Sequence, residues 1–366
     1  MRAWLEVDVA AIRRNTQLLK KTVGSTVGII GVVKSDAYGH GIEKVASILD
    51  QEAVDMFAVI SLEEALKVRQ VSRKPVLILN YLETAEILEA IDQGFTLTLY
   101  DREQIAQLER LAARSGRRVA VHVKTETGLN RLGMSADETV DFLLSQRHFP
   151  HIHVQAVFSH LAQASSYDLN LEQLRRLQDV ILRTSDKISV LPFHLVSSYA
   201  IANFQEGYLD AVRTGLAFYG TDDVLPGIEP CLAFKAFVAQ VKSIDVGEGV
   251  SYEHLWRAKR DSDIAVITAG YGEGFTMALT GHAEALIGGH RVPIIGKIAM
   301  NLCVADVTGL PIKRGDEAVL IGSQAAEDGS TQTIRVADLA RASGIRHHEI
   351  VTRLGSAVPR RYVNDK

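Results

Sequence analysis

Lys34 closes an apolar, β-branched run, Gly28-Ile29-Ile30-Gly31-Val32-Val33, and is followed at once by Ser35-Asp36-Ala37-Tyr38-Gly39-His40-Gly41. The run has the length and composition of a buried strand. An ammonium placed directly after it is costly to desolvate unless it is neutralised or used covalently. One reading is a lysine that snorkels to the strand end and pairs with a carboxylate. The other is a Schiff-base lysine, its pKa depressed by burial so that the amine attacks an aldehyde cofactor. Further residues with chemistry to offer stand at the ends of later apolar runs: Lys124, His160, Ser197-Ser198 and Arg213. Cations and hydroxyls suit a bound anion, and an imidazole suits proton transfer.

The elements that must carry these residues alternate up to about residue 220. The expected strands are 28–33, Met56–Ile60, Pro75–Asn80, Thr96–Tyr100, Val119–Lys124, Val154–Ser159, Phe193–Val196 and Ala211–Thr214. Helical patterns fall between them at Glu63–Arg69, Glu86–Gln93, Arg102–Arg114, Glu138–Gln146 and Leu171–Arg183, with Asp101, Ser135 and Asn170 as N-caps. About eight strand–helix pairs point to an α/β fold with a closed (β/α)8 TIM-type barrel, and a doubly wound open sheet is the competing arrangement. In a barrel, all five polar positions fall on the C-terminal face, where chemistry is carried.

The texture changes after Asp222-Asp223-Val224-Leu225-Pro226-Gly227, a turn-rich linker. Short β-type runs follow at Phe234–Ile244, Asp263–Ala269, Ala283–Ile287, His290–Ile298, Leu302–Val307 and Glu317–Ile321. Gly288-Gly289 is the clearest hairpin signal, and one helical pattern covers Val336–Ala342. The expected division is a barrel over 1–225 and a smaller, mainly β domain over 226–366. A length of 366 residues suits two domains. A net charge of −4 with no basic block argues against nucleic acid or a membrane surface. Cys231 and Cys303 lack disulfide or zinc spacing, so no metal is expected. Acidic residues in Met1-Arg2-Ala3-Trp4-Leu5-Glu6-Val7-Asp8 interrupt any signal-peptide core, and no apolar run is long enough to span a bilayer, so a cytoplasmic protein is expected.

Val33 to Gly41 closely resembles the cofactor-lysine motif of the alanine racemase family, which carries pyridoxal phosphate (PLP) on that lysine. The segment His122-Val123-Lys124-Thr125-Glu126-Thr127-Gly128-Leu129-Asn130-Arg131-Leu132-Gly133-Met134 resembles the one whose lysine, often carbamylated, orients an arginine. Those are Lys124 and Arg131, with Arg131 on the substrate. Phe158-Ser159-His160 looks like the segment with a histidine near the cofactor ring. His194-Leu195-Val196-Ser197-Ser198 is similar to one whose serine, here Ser198, binds the cofactor phosphate, while His194 supports Arg213. The resemblance implies that Tyr38, Gly215 and Leu216 complete the cofactor site. It sets Arg213 against the pyridine nitrogen, where many PLP enzymes use a carboxylate. Arg keeps its proton, so it weakens the ring as an electron sink and limits transamination.

Racemisation needs acid–base groups on both faces of a planar intermediate. The resemblance implies Lys34 for one and Tyr252, in Gly249-Val250-Ser251-Tyr252, for the other. A phenol in water, with a pKa of about 10, is a poor base at neutral pH, so its surroundings must be electropositive. Tyr252, Tyr271 and Met300 are implied to reach the partner's barrel in a homodimer with sites at the subunit interface. The implied reaction interconverts L- and D-alanine and supplies D-alanine for peptidoglycan. Met300-Asn301-Leu302 departs from the usual Met-Asp-Gln, the segment after Tyr271 lacks the usual Asp and Pro-Arg, and Ser356 replaces a tyrosine that touches the phosphate. These departures leave serine or broader specificity, or a degenerate PLP-binding homologue, as alternatives. A PLP decarboxylase of basic amino acids is disfavoured by Arg213, and a non-catalytic PLP-carrying barrel by the long β domain.

Overall fold

The computed structural model describes residues 2–221 and 224–365; Asp222 and Asp223 of the expected linker lie outside the described residues. Eight parallel strands close into a barrel: Gly28–Val32, Met56–Val59, Val76–Ile78, Thr96–Leu99, Val119–Lys124, Ile152–Phe158, Phe193–Ser197 and Ala211–Thr214. The last pairs with the first, Ile30 opposite Arg213, which excludes the open doubly wound sheet. Helices cover the outside of the barrel, so Val76-Leu77-Ile78 and its neighbours are apolar in runs rather than in alternation.

The caps at Asp101 and Ser135 form as expected. Asp101 accepts from the Glu103 amide at 2.7 Å, and Ser135 makes a capping box with Glu138. Asn170 does not cap. Its helix begins a turn earlier, at Tyr167–Thr184, and Asn170 is buried in the first turn, its Nδ2 donating back to the Ala164 carbonyl at 3.0 Å.

The second sheet has nine strands, built around the long strand Leu232–Ile244. Glu284–Ile287 and His290–Ile295 form a hairpin through Gly288 and Gly289, at φ 60° and 79°, the conformation of a type I′ turn. Three of the nine strands were not apparent from the sequence pattern, among them Thr331–Ile334, which pairs antiparallel with Glu317–Ala325. Ala3–Asp8 pairs antiparallel with Leu232–Ile244, and Arg360–Val363 lies parallel beside it. The chain therefore starts in the second sheet and crosses into the barrel layer through the helix Val9–Val23, capped by Asp8. One continuous buried cluster includes Val7, Ile12, Phe218 and Phe234, so the two modules share a core. Among the described residues no helix is long and apolar enough to cross a membrane.

Candidate active site

A cavity of about 640 Å³ opens at the C-terminal end of the barrel. Lys34, Lys124, Arg131 and Arg213 all line it, together with Tyr38, His160, Ser198, Gly215 and Leu216. No carboxylate lines it among the described residues. Four cations on a lining with no carboxylate make a site for anions.

Lys34 leaves its strand into an unusual turn. Ser35, Asp36, Ala37 and Tyr38 hold φ at 51°, 54°, 53° and 53°, a left-handed turn built without glycine. Each such residue costs roughly 1–2 kcal/mol. The surroundings hold it: His40 Nδ1 donates to the carbonyls of Ala37 and Tyr38 at 3.0 and 3.1 Å, and Glu64 accepts from the Asp36 amide at 3.3 Å. Gly39 follows at φ 84°, and a Cβ there would lie 2.4 Å from the Val351 carbonyl oxygen. The turn sends Lys34 and Tyr38 to the cavity, the Lys34 Nζ lying 5.9 Å from the Tyr38 ring centre. Burial lowers the Lys34 pKa, the Arg131 charge lowers it further, and Glu64 opposes both. Burial pushes the Tyr38 phenol up to about 12, so its hydroxyl remains a donor.

Arg213 is fully sheltered on the strand Ala211–Thr214 and spends its fork on five acceptors. One terminal nitrogen meets His194 Nδ1 at 2.6 Å and the His194 carbonyl at 3.1 Å. The other meets the carbonyls of Ser159 and Leu195 at 2.5 and 3.2 Å and His160 Nδ1 at 3.1 Å. Arg can only donate, so both imidazoles accept at Nδ1 and carry their proton on Nε2. His194 Nε2 then donates to His122 Nδ1 at 3.0 Å. Burial, reinforced by Arg213, holds His160 and His194 well below the usual histidine range and His122 down to about 3. Burial draws Arg213 down to about 9, which leaves it cationic at neutral pH. Phe158 lies between the charges, its ring centre 5.0 Å from Arg213 and 5.3 Å from the Lys124 ammonium. Burial, then Arg213 and Arg131, bring Lys124 down to about 8.

A small cradle sits at the ends of the neighbouring strands Phe193–Ser197 and Ala211–Thr214. Ser198 Oγ meets Thr214 Oγ1 at 2.9 Å and accepts from the Gly215 amide at 3.2 Å. A Cβ on Gly215 would stand 2.7 Å from the Tyr38 ring and 2.9 Å from the Val32 carbonyl. Only glycine leaves the cradle open.

Tyr252, Tyr271 and Met300 do not enter this cavity. They lie on the second module, 68 %, 42 % and 56 % exposed. Tyr252 follows Ser251, which sits at φ 61° with its Oγ donating to the Lys297 carbonyl at 2.6 Å. Tyr271 and Met300 occupy paired loops, the Gly272 amide meeting the Met300 carbonyl at 2.6 Å. Asn301 donates to Glu273 Oε1 at 2.8 Å, so a carboxylate stands beside the amide that departs from the family pattern. Ser356, on the helix His347–Ala357, lines a surface groove with Tyr271 and Met277 rather than the barrel cavity. Sequence reasoning passed over Asp36, Glu64, His122 and Arg360. His122 was within reach of it, since strand period two puts it on the face of Lys124.

The family model described as the alanine racemase N-terminal domain matches residues 7–223, and the one described as its C-terminal domain matches residues 231–362. The chain belongs to the alanine racemase family. The family's members are PLP-dependent isomerases. "Alanine racemase 2" of Caldanaerobacter subterraneus subsp. tengcongensis is 32 % identical over 98 % of this chain and 94 % of its own length. The crystal structure of alanine racemase from Streptomyces lavendulae superposes with a TM-score of 0.92 at 28 % identity, covering 100 % of this chain and 98 % of that one. That of alanine racemase from Bartonella henselae, described as having covalently bound pyridoxal phosphate, gives 0.87 at 27 %, covering 99 % and 100 %. The site of this family member fits the same group. It offers an amine with a lowered pKa, an open hydroxyl-and-amide cradle, and an excess of cations that a phosphate and a carboxylate would balance.

Proposed function

We propose that this chain is a PLP-dependent racemase interconverting L- and D-alanine with two bases, Lys34 of one subunit and Tyr252 of the other. The observation that carries the reading is the convergence of Lys34, Lys124, Arg131 and Arg213 on one cavity free of carboxylates among the described residues. When bound, PLP supplies an electron sink that acidifies the α-proton of an amino acid. The protein's residues do the rest. Lys34 Nζ anchors the cofactor and, once released, holds or returns a proton on one face. Ser198, Gly215, Leu216 and Tyr38 hold the phosphate. Arg131, kept in place by Lys124, takes the substrate carboxylate. Arg213 gives a donor where a carboxylate would promote a stronger sink, and its histidine partners keep it aimed. This favours return of the α-proton over transamination.

The exposed face bearing Tyr252, Leu255, Tyr271, Met277 and Met300 supports a homodimer, because soluble chains rarely leave such a set uncovered. A two-fold contact through this face would deliver Tyr252 to the second barrel. D-alanine for cell-wall synthesis is the role that this product fits. A second reading, preference for serine, is favoured by the hydroxyl of Ser356 beside Tyr271. One small side-chain group is worth only about 1–3 kcal/mol of discrimination, so the preference is easily moved. The test is to incubate the purified protein with L-alanine, L-serine and other L-amino acids and to resolve the enantiomers. D-alanine as main product supports the proposal, D-serine the second reading, and no D-product from any of them overturns both.

A further inference from the structure

The left-handed turn after Lys34 is clamped from outside the barrel as well as from within. Arg360 begins the last strand of the second module, and its side chain is mostly buried. Its Nε donates to the Gly39 carbonyl at 2.7 Å, and a terminal nitrogen donates to the Gly355 carbonyl at 2.6 Å. The same guanidinium pairs with Asp36 Oδ2, while Asp36 Oδ1 accepts from the Ile42 amide at 2.7 Å. Asp36 is the second of the four left-handed residues, and Gly39 ends the turn. The strand continues the contact, Tyr362 Oη donating to the His40 carbonyl at 3.2 Å. A Cβ on Gly41 would lie 2.0 Å from Tyr362 Oη, so the approach depends on glycine.

We propose that Arg360 is a positioning residue for the reaction: from the C-terminal module it holds the Asp36–Gly39 turn left-handed and so aims Lys34 and Tyr38 into the barrel mouth. The inference rests on the reading that Lys34 carries the cofactor. The chemistry of the contact supports it. A planar fork is the one side chain that reaches two carbonyls and a carboxylate at fixed angles. The turn is strained, and strained backbone persists only where its surroundings over-determine it. Releasing one clamp lets Ser35–Tyr38 relax toward right-handed or extended conformations, and Lys34 then leaves its aim without leaving the protein. A mere inter-module fastener would behave differently, lowering global stability while each folded molecule kept its full competence.

The test uses the full chain with Arg360→Gln, Arg360→Lys and Asp36→Asn. Amide hydrogen exchange across residues 35–41 is measured without cofactor, PLP retention after dialysis is measured with it, and kcat and KM follow in the racemase assay. Loss of one charge-assisted clamp should speed exchange in that segment and weaken PLP binding by ~10-fold each. The value of kcat per folded molecule should fall by a similar factor while KM for the amino acid stays within about twofold. Arg360→Lys, which keeps the charge and loses the fork, should fall between. The Arg360→Gln/Asp36→Asn double variant should be no worse than the poorer single one, because both break the same contact. If exchange, PLP retention and kcat per folded molecule are unchanged while only the melting temperature drops, Arg360 is a fastener and the proposal fails. Should Arg360→Gln not fold, the lysine and Asp36→Asn variants decide the same question. Borohydride reduction and peptide mapping of the unmodified holoprotein separate the two layers. A label on a lysine other than Lys34 overturns the anchoring role, whereas the exchange result bears on the clamp alone.

Discussion

Arg213→Lys keeps the charge of the buried cation and removes its fork, which isolates what the geometry contributes. In the structure, Arg213 satisfies five acceptors: the carbonyls of Ser159, His194 and Leu195, and Nδ1 of His160 and His194. A lysine presents three N–H groups from one point, and the His194 carbonyl also accepts from the Ser159 amide at 3.2 Å, so at least one of the other four loses its donor. A buried acceptor left without a partner costs about 1–3 kcal/mol, which sets the destabilisation at no less than roughly 1–3 kcal/mol. The assay is urea unfolding of the cofactor-free variant and the unmodified chain, followed by near-UV circular dichroism. A functional consequence should accompany it. With no donor fixed at the pyridine position, the variant with PLP should form pyruvate from L-alanine at a higher ratio to racemisation. An unfolding free energy within about 0.5 kcal/mol of the unmodified chain would refute the reasoning, since the five contacts would then carry no net energy.

Other consequences are direct. Lys34→Ala should abolish the coloured covalent PLP adduct while leaving the fold intact; a retained adduct, seen by absorbance after dialysis, would place the anchor elsewhere. The Lys124 pKa falls from 10.5 to about 8 on folding, so between these values the unfolded chain binds more protons at this group and the group's contribution to stability rises with pH. Thermal melts of the cofactor-free protein from pH 8 to 10.5 should show that contribution as a difference, the unmodified chain gaining on Lys124→Met as the pH rises. The buried thiols of Cys231 and Cys303, pushed up by burial, act in the opposite sense in both proteins. Gly215→Ala should weaken PLP binding ~10-fold, because its methyl meets the Tyr38 ring at 2.7 Å, and fluorescence titration of PLP measures the loss.

The barrel was readable because its strands, covered on both faces, are apolar runs that stand apart from the amphipathic helices between them. Val76-Leu77-Ile78 and Thr96–Leu99 are plain cases. Ala3–Asp8 was obscured because its partners in the sheet, Leu232–Ile244 and Arg360–Val363, are hundreds of residues away and leave no local mark. Asn170 misled because asparagine suits an N-cap by propensity, while its side chain here is drawn to the Ala164 carbonyl. The left-handed turn at Ser35–Tyr38 was hidden for a similar reason. Its residues have no intrinsic preference for positive φ beyond that of Asp36, and the clamps come from His40, Glu64 and Arg360. Three of the four cations of the site, Lys34, Lys124 and Arg213, were legible one by one at strand ends, and Arg131, in the loop after Val119–Lys124, only through the resemblance. Their convergence without a carboxylate, and the lock that Arg213 places on two histidine tautomers, are properties of the closed barrel.

The proposed site is composite, with the lysine from one subunit and the tyrosine from the other, and mixed dimers test that most directly. Lys34→Ala and Tyr252→Phe chains, each inactive as a homodimer, are denatured together, refolded with PLP, and assayed for racemisation of L-alanine. In a heterodimer one site lacks both groups and the other has both, so random mixing should restore about a quarter of the unmodified activity. Heterodimers verified by native mass spectrometry that show no activity above the parent variants would contradict the account.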